Sequence, residues 1–426
     1  MNLTILCGIG MEMGCLLFAC QKEGSFRVNV FLLLYAALFV LWFFSWKGTA
    51  IPLWALAGLA ILFRLTLLPT LPTLSNDIYR YGWEGRIQRQ GLSPYRHPPE
   101  APELAHLRDA SWPRINHKNI STVYPTLSQL AFRTGTYITD LLRLAAPSRW
   151  KSADRWLIWT DVVGQKIVFV LFDLLTILVV WKLMQHYGVD SRNLLLYAWN
   201  PLVVIEIAGS GHHDSLGICM LTAGVLAWER GHELWAGVGL AAAFLSKYMS
   251  ALLIPTAILR MDWPLLGVWG MLGAAGLAMV RPPIILVKGP AHYAQNWKFN
   301  ASIYSLLQPI FGGNGYLAKS VTAFLGFGAI WWVARVTASS GPAFTAFWSI
   351  AAALLFAPTV HPWYLLWLTP FLCLFPNPAF ILWNGTIALS YTVLSRYRAL
   401  QIWELSPTIQ MLEYLPVYTW LILRKL

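Results

Sequence analysis

The chain has 426 residues, of which 57% are hydrophobic and only 12% charged, with a mean hydropathy of +0.54. So little charge over such a length excludes a soluble globular protein, and the apolar residues come in runs of about 20, the length that crosses a bilayer. The net charge of +12 would suggest nucleic acid in a soluble chain. Here it is spread over loops and points to anionic lipid headgroups and phosphates, with no nucleic-acid partner.

In chain order, apolar runs near 2–20, 28–46, 51–69, 163–183, 193–209, 215–228, 234–258, 264–287, 316–336, 343–359, 363–376, 378–395 and 408–423 predict membrane helices. The fold class is all-α: a polytopic membrane protein of about 11–13 spans, the count being open because 215–258 reads either as short helices or as a re-entrant pair. No internal repeat or low-complexity linker divides residues 1–426, so a single domain is expected. Trp42, Trp46, Trp156, Trp159, Trp363 and Trp367 sit at the ends of runs, as an interfacial aromatic belt would. Cys7, Cys15, Cys20, Cys219 and Cys373 have neither paired nor metal-ligand spacing and read as small apolar side chains. The N-terminal run lacks a basic flank and carries Glu12, so no cleaved signal peptide is expected.

Short-loop basic residues set the orientation. Lys47, Lys182, Arg192, Arg260, Arg335 and Arg424-Lys425 fit the cytoplasmic side, with Lys22 and Arg27 opposing. The long segment of about 70–160 then lies outside, together with His212-His213-Asp214, the 288–315 loop and His361. Within that segment Leu127, Leu130, Ala131, Thr134, Ile138, Leu141, Leu142 and Ala145 recur at helical spacing. Such a helix either lies flat on the membrane, apolar face down, walling a lateral entrance for lipid, or packs on the bundle.

The segment Asn76-Asp77-Ile78-Tyr79-Arg80-Tyr81-Gly82-Trp83-Glu84-Gly85-Arg86, continued by Ser93-Pro94-Tyr95, crowds acids, arginines and rings just after the run 51–69. Asp77, held ionised by Arg80 and Arg86, can act as a general base toward an attacking hydroxyl. A salt bridge that pins the loop is the other reading. Glu84 lies two helical turns on, as a second carboxylate or a brace for Arg80.

Gly209-Ser210-Gly211-His212-His213-Asp214 breaks a span sharply and brings three polar side chains to the boundary. Adjacent histidines rarely share one ion, so hydrogen bonding to a sugar or phosphate is preferred over a metal. His361-Pro362-Trp363-Tyr364 offers a histidine among aromatics, either a phosphate or sugar contact or an interfacial anchor. Lys166, Asp173, Glu206 and Lys247 fall inside spans, where ionisable groups are paired or functional. Lys247 can neutralise a lipid phosphate, and Lys298-Phe299-Asn300 adds an outer polar patch. No P-loop, G-x-G-x-x-G or D-x-D element is present, so a nucleotide-sugar donor is not expected.

Taken together, Asn76-Asp77-Ile78-Tyr79-Arg80-Tyr81-x-Trp83-Glu84-Gly85-Arg86 with Ser93-Pro94-Tyr95 resembles the first outer loop of bacterial polyprenol-phosphate-mannose-dependent mannosyltransferases, of the GT-C superfamily of membrane glycosyltransferases. Val123-Tyr124-Pro125 resembles the family's Tyr-Pro-Pro element, with Thr126 in place of the second proline. Asn200-Pro201 through Glu206 to Gly211-His212-His213-Asp214 is similar to its Asn-Pro…Glu…Gly-His-Asn-Asp stretch, with His213 where Asn is usual. Lys247 with Pro255, and His361-Pro362-Trp363-Tyr364, complete the order.

The resemblance implies a GT-C-type multi-helix bundle whose long first outer loop carries amphipathic interfacial helices, with Asp77 as base. The expected reaction is inverting transfer of a hexose, mannose by the resemblance, from a polyprenyl-phosphate sugar to a lipid or glycan acceptor. It would occur on the outer face of a bacterial inner membrane, without metal or cofactor. Donor and substrate contacts are expected from Tyr79, Arg80, Glu84, Arg86, Tyr124, His212, His213, Asp214, Lys247, Lys298, Asn300, His361 and Tyr364. The competing reading is a transporter or lipid-linked-sugar flippase, which would also bury charges.

Overall fold

A computed structural model of the chain describes residues 2–21, 26–145, 153–280 and 285–423, the side chains of 285–290 aside. Lys22, Arg424 and Lys425, used above for orientation, lie outside the described residues. The first three helices are α1 (Leu3–Ala19), α2 (Val28–Lys47) and α3 (Leu53–Leu67). The outer segment contributes α4 (Asp77–Arg89) and α5 (Thr126–Leu144), followed by the 34-residue α6 (Asp154–Tyr187). Then come α7 (Asp214–Glu229), α8 (Glu233–Lys247), α9 (Trp263–Ala278), α10 (Ile285–Asn296), α11 (Ile303–Ile310) and α12 (Gly315–Val336). The described chain closes with α13 (Pro342–Phe356), α14 (Pro378–Thr386) and α15 (Pro407–Leu423).

The chain is an all-α integral membrane protein. Among the described residues α2, α6 and α12 are long and apolar enough to cross a membrane unaided, and α1, α3, α9, α13 and the turn-and-helix Met249–Leu259 are shorter apolar helices. The only strand-like feature among those residues is a parallel bridge between Phe299 and Thr359.

Three expected continuous spans are instead chains of short helical turns. The run 193–209 is interrupted at Asn200-Pro201, where the Asn200 side chain accepts from the Leu202 amide and Pro201 opens the next turn. Pro362 opens a 3-10 turn into 363–376, Pro370 restarts the helix within it, and 378–395 passes from α14 into a tighter turn at Ile387. Proline lacks the N–H that a continuing helix needs, so the helix must restart. These pieces are the centre of the protein: Leu194 to Ala208 is almost wholly buried. The ambiguous 215–258 stretch resolves into α7 and α8, apposed so closely that a Cβ on Gly239 would sit 2.6 Å from the Gly224 Cα.

Arg64, Asp173 and Lys166 inside the bundle each have partners. Arg64 on α3 gives Nε to Asp173 Oδ2 at 2.5 Å and Nη1 to the carbonyls of Ala60 and Ala198. The Tyr197 hydroxyl donates to the other Asp173 oxygen at 2.7 Å. Lys166 and Asp173 share a face of α6 yet serve different neighbours. Lys166 Nζ donates to the carbonyls of Thr70 (2.6 Å) and Leu67 (3.3 Å), capping the C-terminal end of α3.

The α5 helix appears where its periodicity predicts, and its packing face is a finding. Ser128, Gln129, Ala131, Phe132, Gly135, Thr136 and Thr139 face the protein, while Leu130, Tyr137, Leu141 and Leu144 stand outward. Small and polar groups allow close approach to α4 and α6. An outward leucine face is what a helix against lipid would present. Two of the expected belt tryptophans are core residues instead: Trp42 is fully buried with its indole N–H on the Leu195 carbonyl, and Trp367 is buried against Asp214.

Candidate active site

Two chain breaks meet at the site. The α3 end, held by Lys166, leads through a turn to Asp77 at the first position of α4. Against it lies the turn 209–213. Gly211 there has φ +79, and a Cβ at that position would overlap the Ile78 side chain. Only glycine combines the left-handed backbone with that contact, so Asp77 and the His212–Asp214 group are fixed side by side.

Asp77 is half-buried, and Asn116 Nδ2 donates to its Oδ1 at 2.9 Å. Burial raises its carboxyl above the ordinary value, against the Asn116 hydrogen bond and the nearby charges of Lys247, Arg80 and His117. Among the described residues its second oxygen carries no hydrogen bond. Burial likewise pushes the His117 ring down, toward the neutral form.

Beneath it, Asp214 at the start of α7 takes Lys247 Nζ at 2.7 Å and the Trp367 indole N–H at 2.6 Å, both on Oδ1. Lys247 also lies 4.7 Å from the Tyr364 ring centroid, and the Tyr364 and Tyr293 hydroxyls are 2.6 Å apart. His213 sits in an aromatic box, edge-to-face with Tyr124 (4.7 Å), Tyr81 (5.1 Å) and Phe132 (5.4 Å). His212 begins a column of stacked rings: Trp363 at 4.0 Å, then His361 at 4.4 Å from Trp363, then Phe299 at 4.8 Å from His361. Burial, aided by Lys247, pushes the His361 ring down to about 3, so it is neutral at ordinary pH.

Glu206 accepts from the Tyr391 hydroxyl at 2.5 Å and lies 3.4 Å from His212 Nε2. Both nitrogens of His213, His212 Nδ1 and Asp214 Oδ2 are buried with no hydrogen-bond partner among the described residues. Buried polar atoms are normally satisfied, and a cluster that is not marks a place for a ligand or water. The set offers neutral hydrogen-bonding groups, one cation and one half-exposed carboxylate. That suits an uncharged polyol joined to an anion. Among the described residues no group of three or more His, Cys, Asp or Glu is placed to hold a metal ion.

Thus Asp77, Tyr124, His212, His213, Asp214, Lys247, His361 and Tyr364 come together. Other expected site residues are committed to the framework. Arg80 pairs with Glu84 at 2.7 Å and grips the carbonyls of His117 and Ile120. Glu84 also accepts from Thr122 (2.8 Å) and Gln129 (2.6 Å). Arg86 bridges Asp161 (2.8 Å) and Asp109 (3.1 Å). Tyr79 is buried beneath Arg114, whose guanidinium lies 5.5 Å from its ring. The Asn300 amide is turned to Glu413, 3.0 Å from each carboxylate oxygen, and Lys298 is exposed. The sequence reading missed Asn116, Trp363 and Glu413 as parts of this assembly. Trp363 stood within the quoted His-Pro-Trp-Tyr element; nothing local marked the other two.

Fold and site define a polytopic helical membrane protein with a polar site between its long first loop and two chain breaks in the bundle. Residues 145–262 match the family described as alpha-(1->6)-mannopyranosyltransferase, N-terminal domain. The chain is 23% identical over 351 residues to alpha-(1->6)-mannopyranosyltransferase A of Mycobacterium tuberculosis, covering 72% of this chain and 62% of that protein. It is 24% identical over 200 residues to the enzyme of the same name from Corynebacterium glutamicum, covering 45% and 36%. The chain therefore spans less than two thirds of the length of these curated relatives. No solved structure matches. The matches support the resemblance to GT-C-type mannosyltransferases carried by the motifs.

Proposed function

We propose that the chain is an inverting hexosyltransferase, with mannose as the sugar, acting on the outer face of a bacterial inner membrane. The donor is a polyprenyl-phosphate sugar, and the acceptor is a hydroxyl of a lipid-linked or free glycan. The observation that carries this reading is Asp77, one of whose carboxylate oxygens has no hydrogen-bond partner among the described residues, near the Lys247–Asp214 pair and the histidine nitrogens that also lack partners there. The relatives' names supply the sugar.

In this reading Asp77 takes the proton of the acceptor hydroxyl as that oxygen attacks the anomeric carbon. The anomeric C–O bond breaks, and its electron pair leaves with the lipid phosphate. Lys247 is the cation that receives that charge. The phosphate departs as a stable anion, so no general acid is required. His212, His213 and His361, held neutral by burial, hydrogen-bond sugar hydroxyls or phosphate oxygens. Arg80, Glu84 and Arg86 keep the loop in place over the site. The outward leucines of α5 rest in the lipid interface, beside the route by which a lipid donor enters.

The test is an assay of purified protein with radiolabelled polyprenyl-phosphate mannose against candidate glycolipid acceptors. Transfer is expected from that donor and not from GDP-mannose or UDP-glucose. Efficient turnover with a nucleotide sugar, free of lipid intermediates, would overturn the donor assignment. Activity is expected to survive EDTA; loss restored by a divalent cation would make His212, His213 and Asp214 metal ligands.

A further inference from the structure

Residues 116–122 cross over the first turn of α4 as a strap. Arg80, one turn below Asp77, donates to the strap's carbonyls at His117 and Ile120. Glu84 orients Arg80 and also receives the Thr122 hydroxyl at the strap's far end. His117 takes φ +44, a left-handed conformation uncommon among non-glycine residues, and its ring packs on Trp297 at 4.8 Å. Non-glycine residues keep such a backbone only where surrounding contacts demand it. The product of these constraints is the placing of Asn116, whose Nδ2 reaches Asp77 Oδ1 at 2.9 Å.

We propose that Asn116 is a positioning residue for Asp77: its amide occupies one carboxylate oxygen and turns the other toward the acceptor hydroxyl. The inference rests on the reading of Asp77 as the base. It recasts the Arg80–Glu84 pair as the clamp that sets Asn116 rather than as a donor contact. An amide suits the task because it donates without adding a charge that would compete with Lys247 for the leaving phosphate. Arg80's own hydrogen bonds go to Glu84 and the strap.

Asp77 is faced by Arg80 from its own helix, His117 from the strap and Lys247 from α8. The phenols of Tyr81, Tyr124, Tyr293 and Tyr391 also lie within its field. All of these side chains remain in the variants below.

The experiment follows the protonated Asp77 carbonyl band by infrared titration in nanodiscs, identifying it by its absence in Asp77→Asn. Removing the donor in Asn116→Ala should raise the midpoint by about half to one pH unit, the worth of one such hydrogen bond. Asn116→Asp, nearly isosteric, places a second carboxyl against Oδ1 and should raise it further. It also keeps the question open to measurement if the alanine variant loses its strap. In turnover, Asn116→Ala should lower kcat about tenfold with donor KM little changed, because misplacing a base affects chemistry rather than binding. Midpoints that coincide with wild type in both variants overturn the inference. Activity retained in Asp77→Asn would overturn the base reading alone, since the infrared shift reports the contact whether or not Asp77 is the base.

Discussion

Asp77 carries a charge that its surroundings oppose. Burial raises its carboxyl above the ordinary value, so the folded protein binds its proton more tightly than the unfolded chain does. Between the ordinary carboxylate value and the folded one, the native state therefore holds more protons, and this group's contribution to stability falls as pH rises. At neutral pH the ionised form is a cost that Asp77→Asn removes. The variant should unfold at a higher temperature than wild type at pH 7, with the difference fading in acid, when thermal unfolding is followed in detergent. The same variant should lose transfer by about 10²–10⁴-fold, the usual contribution of a general base. More than about a tenth of wild-type turnover would remove Asp77 from that role. The acid limb of kcat/KM for wild type should lie above the ordinary carboxylate range, activity falling as pH falls through it. Asp77 could be picked out from sequence because acids and arginines crowd a span end there. Asn116 could not, since an isolated Asn in a polar loop is common and its contact depends on a strap tied down 37 and 40 residues from Arg80, at His117 and Ile120.

At the scale of elements, the helices with plain apolar periods were legible and the broken ones were not. Run length alone cannot distinguish a crossing helix from buried turns restarted at proline, which is why 193–209 and 363–376 read as spans. The α5 period was equally clear, yet hydropathy could not say which face meets protein, because lipid accepts the leucines that water would reject. The Gly211 turn offers a sharp test. Gly211→Ala must carry both a left-handed backbone and a collision with Ile78, and should destabilise by about 2–4 kcal/mol while displacing the first turn of α4. Gly188→Ala makes the control: its φ is +62 but nothing lies within 4 Å of the added Cβ. It should cost only the strain, about 1 kcal/mol. Equal losses of thermal stability in the two variants would mean that the Ile78 contact carries no weight.

For the molecule as a whole, the buried Arg64–Asp173 pair links α3 to α6 beneath the site. Removing one partner strands the other, so Arg64→Leu should cost about 3–5 kcal/mol. Adding Asp173→Leu should return part of it, measured as recovery of the unfolding temperature. Sidedness is testable with Cys20 changed to serine, since that thiol is exposed. Lys118→Cys and Lys298→Cys, joined to one neighbourhood by the His117–Trp297 contact, should both react with an impermeant maleimide added to intact cells. Arg230→Cys, at the far end of the 16-residue α7, about 24 Å from Asp214, should not. Reaction at all three sites, or at only one of the lysine positions, would break the assignment of the site to the outer face.

The tie between Glu413 and Asn300 has a consequence for biogenesis. Glu413 and Tyr414 on α15 hold the side chain and carbonyl of Asn300, and the adjoining Phe299 pairs with 358–360 and carries His361 on its ring. A nascent chain emerges from its N-terminus, so α15 reaches the membrane after every other part of this assembly. Until it docks, the lower end of the ring column is held through the 358–360 pairing but lacks the two ties to Asn300. A half-made protein would thus hold Asp77 and Lys247 beside a ring column still loose at its far end. Stalled or C-terminally clipped chains should accumulate as inserted, helical and inert species.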